Sequence, residues 1–76
     1  MHTEYPERYK MLGLKIAYYR KKAEMTQEQF SEKINKSVNF IAKVESISTT
    51  RGVSLETLFK MAEVLNIPPH KLLIDD

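Results

Sequence analysis

Three features of the 76-residue chain predict an all-α fold. Apolar residues recur at spacings of three and four, no stretch sustains the period-two alternation of a half-buried strand, and no Asn-Gly or Asp-Gly hairpin signal occurs. The expected architecture is a compact five-helix domain, taken in order as follows. Pro6 stands near a helix start, and Leu12, Ile16, Tyr19 and Ala23 form a regular stripe, so a first helix is expected over about residues 7–24. Thr26 followed by Gln29 is a capping box, in which each side chain satisfies the other residue's free backbone N–H, with Phe30 and Ile34 as the buried stripe of a second helix. Asn35 can take the left-handed conformation that ends it, and Ser37 can cap a third helix almost at once. There Ile41 and Val44 form the inward pair, so Val38, Asn39, Ala42 and Lys43 point elsewhere. A polar connector, Ser46 to Val53, leads to Ser54, the cap of a fourth helix carrying Leu55, Leu58, Met61, Ala62 and Leu65. Ile67-Pro68-Pro69 stops that helix, and Pro69 opens a last short one through Leu73.

Composition bounds the function. With 42% hydrophobic and 29% charged residues and few Gly and Pro, the chain is that of an ordinary globular domain, and 76 residues leave room for one. The absence of Cys excludes disulfides, thiolate zinc sites, iron–sulfur clusters and cysteine nucleophiles. Apolar runs reach three or four residues, far below the roughly 20 of a membrane helix, and the N-terminus lacks the apolar stretch of a signal peptide. A cytoplasmic protein with no membrane partner is expected. The search for catalytic groups finds only His2 and His70, at opposite ends and expected in solvent, so neither an enzyme nor a metal or cofactor site is expected. No internal repeat or interdomain linker is visible, and the domain is taken as residues 1–76 with its core at about 12–73.

The net charge of +2 is small, but it is patchy. Residues 1–22 hold six Lys and Arg against two Glu, residues 23–32 hold three Glu, and residues 33–51 hold four Lys and Arg against Glu45. These runs are either solvated helix faces or, where the two basic segments meet in space, a positive stripe.

Two short helices joined by an Asn-containing turn, the second Ser-capped and small or polar on its outer face, form a helix-turn-helix arrangement. The first of the pair crosses the phosphate backbone, and the second, here about residues 37–46, enters the major groove. Thr26-Gln27-Glu28-Gln29-Phe30-Ser31-Glu32-Lys33-Ile34 and Ser54-Leu55-Glu56-Thr57-Leu58-Phe59-Lys60-Met61-Ala62-Glu63-Val64-Leu65 resemble two signature segments of the Cro/C1-type DNA-binding domain, the XRE or lambda-repressor-like family. The resemblance covers about residues 12–73. It implies sequence-specific binding to double-stranded DNA by a small transcriptional regulator. Val38, Asn39 and Lys43 fall on the family's base-reading positions, where Asn pairs with adenine, Lys donates to guanine and Val meets a thymine methyl. Gln27 is implied as a phosphate contact, joined by Ser37, by Lys36 and by Arg51 from the loop. Arg20 and Glu45 match a structural ion pair between the first helix and the end of the third, for which the planar fork of Arg is suited.

This chain departs from the family pattern in several places. Asn35 replaces the turn glycine, Ser31 replaces the small Ala between the helices, and the loop from Ser46 to Val53 is longer. Lys36 occupies a usually apolar position, so either its stem packs or its ammonium contacts phosphate. Phe40 stands where the family has a small polar residue, and packing against the neighbouring loop is expected. Tyr18 and Tyr19 point about 100° apart on a helix, so Tyr19 is expected in the core and no stacking platform results. Glu28 and Glu32 read as a solvated helix face, although in some relatives an acidic patch there touches RNA polymerase.

Leu72, Leu73 and Ile74 cannot all face one small core, so at least one is left at the surface. A homodimer contact is expected there, C-terminal packing being the alternative. A two-fold dimer would set its recognition helices about 34 Å apart on a pseudo-palindromic operator. The resulting expectation is a homodimeric regulator such as a phage repressor, a restriction–modification controller or an antitoxin-like autoregulator. The competing reading is a protein-interaction module that binds a toxin or a polymerase subunit through the same fold.

Overall fold

The computed structural model describes residues 3–74. It contains α1 (Pro6–Lys22), α2 (Gln27–Lys33), α3 (Val38–Glu45), α4 (Leu55–Leu65) and one 3-10 turn (Pro69–Leu72). No strand occurs among the described residues. Leu12 and Ile16 of α1, Phe30 and Ile34 of the α2 segment, Ile41 and Val44 of α3, and Leu58, Met61, Ala62 and Leu65 of α4 meet in one core that Leu72 completes. The buried residues fall at helical spacing because only one stripe of each helix faces the others.

Local chemistry sets the helix starts. Thr26 Oγ1 accepts from Gln29 N at 3.0 Å and Gln29 Oε1 accepts from Thr26 N at 2.8 Å, which completes the capping box. Ser37 and Ser54 cap α3 and α4 in the same manner, accepting from Phe40 N and Thr57 N. The first helix has no such side-chain cap and relies on Pro6, whose missing N–H leaves one fewer donor to satisfy.

Three helices end by one device. Glu24, Asn35 and Asn66 each take φ near +60°. In each case the residue after donates to a carbonyl five positions back and the left-handed residue itself to one three back: Met25 to Arg20 and Glu24 to Lys21, Lys36 to Ser31 and Asn35 to Glu32, Ile67 to Ala62 and Asn66 to Glu63. This is the Schellman closure. Asn tolerates the left-handed region, whereas Glu24 enters it without glycine's freedom, and no local signal marked it; α1 therefore stops at Lys22, short of the expected residue 24.

Two further expectations change. The final segment is a single 3-10 turn and not a fifth α-helix: Pro68 and Pro69 supply no donors, and Lys71 N→Pro68 O and Leu73 N→His70 O follow the three-residue spacing. Leu55 is 67% exposed, because it lies in the first turn of α4 beyond the end of the core, and Thr57 takes a buried position on that helix.

The site is positioned by α3, which packs against both α1 and α2. Gly13 makes the α1 contact possible. A Cβ there would overlap the carbonyl oxygen of Val44, so the two backbones approach as closely as only glycine allows.

Candidate nucleic-acid interface

The third helix is bound inward by Ile41 and Val44, which are fully and almost fully buried, and this fixes the direction of everything else it carries. Val38, Asn39, Ala42 and Lys43 are exposed. An apolar group, an amide and an ammonium thus share the outer side of one helix with no bulky side chain among them. Such a surface fits a major groove about 12 Å wide and can both donate and accept hydrogen bonds at base edges.

The last turn of α3 is anchored by a polar cluster. Arg20 Nε and its terminal nitrogen donate to the two carboxylate oxygens of Glu45 at 2.7 and 2.9 Å, and the remaining nitrogen donates to Met25 O at 2.8 Å. The two side chains are 9% and 6% exposed, so the pair is buried and satisfied on every guanidinium nitrogen. One guanidinium therefore joins α1, the linker before α2 and the end of α3. Gln27 adds a third helix: its amide donates to Glu45 Oε1 at 3.0 Å. The family resemblance implied a phosphate contact for Gln27; sequence reasoning missed its hold on Glu45, since nothing local marks a bond across 18 positions. All three Arg20 nitrogens donate to the protein's own acceptors, so the guanidinium ties α1 to the end of α3.

Around the start of α3 lie the other residues expected to contact phosphate. Ser37 is exposed while its Oγ accepts the capping bond from Phe40 N. Lys36 Nζ lies 5.5 Å from the centroid of the Phe40 ring and Arg51 Cζ lies 5.2 Å from it, both within cation–π range. Phe40 is half-buried against the core and meets the loop through Arg51. That loop folds back on α3, with Thr49 Oγ1 donating to Lys43 O at 2.8 Å and Ser48 N donating to Ser46 Oγ at 3.2 Å.

The remaining candidates lie elsewhere. Tyr19 is half-buried and Tyr18 exposed; the rings meet edge to face at 5.0 Å, which leaves no parallel pair of faces for bases. His70 is exposed, and His2 lies outside the described residues. No group of three His, Asp or Glu with metal-binding potential occurs among the described residues, and no helix there is long and apolar enough to cross a membrane. Of the C-terminal trio, Leu72 corrects the sequence expectation: it is fully buried in the protomer's own core and has no surface to offer a partner. Leu73 is 58% exposed and Ile74 half-buried. Leu73 borders an apolar groove with Tyr5, Tyr9, Val53, Leu55 and Leu58, to which α3 contributes nothing.

Comparison with known proteins agrees with this geometry. No curated protein matches the chain significantly. The chain is similar to the solved restriction-modification controller protein C.AhdI from Aeromonas hydrophila, with 25% sequence identity and a TM-score of 0.77; the match covers 84% of this chain and 94% of that one. A helix-turn-helix family model matches residues 16–72, which includes every helix from the middle of α1 onward and the completing Leu72. With that match spanning most of its length and its α2–α3 pair built as described, the chain belongs to the XRE-type helix-turn-helix family of DNA-binding transcription regulators.

Proposed function

We propose that the chain is a sequence-specific, non-enzymatic regulator in the cytoplasm that acts as a homodimer on a pseudo-palindromic operator, with α3 of each copy in the major groove. The observation that carries this reading is the outer side of α3, where Val38, Asn39 and Lys43 stand exposed on a helix locked from behind by Ile41, Val44 and Glu45. Val38, Asn39 and Lys43 read bases; Gln27, Lys36, Ser37 and Arg51 contact phosphates. Among the biological settings open to such a regulator, likeness to a restriction–modification controller favours control of that kind of system.

Size supports the dimer. The longest dimension of the protein is 30 Å, less than the separation of about 34 Å between half-sites one helical turn apart, so one copy covers one half-site. The second copy is accepted by the apolar face of the exposed Leu73, Leu55 and Tyr5, with the half-buried Ile74 beside Leu73 in the chain.

Selection from random duplexes, followed by binding at several salt concentrations, tests the proposal. Wild-type protein is expected to enrich a palindromic site and to lose affinity steeply with salt. Lys43→Ala relaxes preference at one base position, whereas Gln27→Ala weakens all sequences alike. Unchanged operator affinity in both variants would point to the protein-interaction module instead.

A further inference from the structure

We infer that Phe40 is a positioning residue: its ring holds Lys36 and Arg51 as a paired clamp for a DNA backbone phosphate beside the base-reading side of α3. The inference rests on the DNA-binding reading above and adds to it a residue that carries no charge itself.

The two cations come from different segments, Lys36 from the turn before α3 and Arg51 from the loop after it. Both nonetheless lie over the same ring, at 5.5 and 5.2 Å. Phe40 can bring them together because it is the third residue of α3 and is wedged against the core, so its ring is fixed while both cations are exposed. Elsewhere on the surface, Lys10 pairs with Glu7 and Lys60 with Glu63. Among the described residues no carboxylate pairs with Lys36 or Arg51. Two like charges drawn to one ring repel each other, and the ring quadrupole offsets only part of that. An anion shared by both removes the repulsion. A backbone phosphate fits, since Lys36 immediately precedes Ser37 and Val38, at the end of α3 that enters the groove. Holding the Arg51 fork in place before binding also spares the loop the entropy of ordering it on contact.

The test is a double-mutant cycle. Phe40→Leu keeps apolar bulk and removes the ring face; Lys36→Met with Arg51→Met removes both charges and keeps the stems. Phe40→Leu is expected to weaken operator and unrelated duplexes by the same factor, about 5- to 30-fold per protomer if both contacts are lost. In the Lys36→Met/Arg51→Met background it should have no further effect, and Phe40→Tyr should restore wild-type binding. In wild-type protein without DNA, the Arg51 δ-methylene and Lys36 ε-methylene proton signals should be shifted upfield by the ring. This measurement needs no variant, and it keeps the inference testable if Phe40→Leu folds poorly. Three results overturn it: an equal loss from Phe40→Leu in both backgrounds, a loss confined to one base position, or the absence of the upfield shifts. Upfield shifts in a protein that binds no duplex at any salt concentration would overturn the DNA reading and the phosphate assignment together; duplex binding with a failed cycle overturns only the role of Phe40.

Discussion

Gly13→Ala probes the contact that seats the recognition helix. The added methyl would overlap the Val44 carbonyl oxygen, with Val44 C at 3.3 Å and Glu45 Cα at 3.5 Å behind it. All three are main-chain atoms, so no side chain can rotate away. Relief requires α1 and α3 to separate by about 1 Å to restore ordinary contact distances. Overpacking of this kind costs about 1–3 kcal/mol. The separation also loosens the 2.7 and 2.9 Å bonds between Arg20 and Glu45, because Arg20 lies two turns from Gly13 on the same stripe of α1. Against this, alanine returns about 1 kcal/mol of helix propensity. Because only main-chain atoms are met, the upper part of that range applies, and the net expectation is a loss of about 1–2 kcal/mol, which for a domain of this size lowers the melting temperature by roughly 4–16 °C. Urea and thermal unfolding followed by circular dichroism at 222 nm would measure it. A variant as stable as wild type, or more stable, would mean that propensity prevails and that the backbones do not approach as described.

Arg20→Lys leaves Glu45 buried without its bidentate partner and Met25 O without its donor, and is expected to destabilise by about 2–4 kcal/mol in the same assays. Glu24→Gly relieves a left-handed residue at a Schellman closure and should stabilise by about 0.5–1 kcal/mol, read as a small rise in melting temperature; no change would show that the turn stores no strain. Leu73→Glu places a charge on the exposed apolar face and should shift the proposed homodimer to monomer in analytical ultracentrifugation, with operator affinity falling while the melting temperature of the dilute protein holds; an unaltered dimer would move the interface elsewhere.

What could be read from the chain and what could not divides along sequence distance. The Thr26–Gln29 box, the Ser37 and Ser54 caps and the left-handed Asn35 are local, each decided by groups within four positions, and their residue types carry the signal. The inward pair Ile41 and Val44 followed from periodicity alone. Glu24 escaped because its conformation is imposed by the closure and not favoured by its side chain. The fate of Leu72 turned on which of three adjacent apolar residues the turn happens to aim inward, and Leu55 lay one turn past the core. The Arg20–Glu45 match came from family resemblance, whereas Gln27 on Glu45 and the two cations on Phe40 required the helices to be assembled in space.

The carboxylate that α3 shares with its two neighbouring helices has a consequence for discrimination. If α3 reads bases as proposed, a reader clamped to its frame by Arg20 and Gln27 has little freedom to tilt toward an imperfect target, so the accommodation falls to the duplex. Steps that kink readily, such as TA or CA/TG, should then be preferred even at pairs no side chain reaches, and the stiffness of the operator becomes part of what this protein recognises.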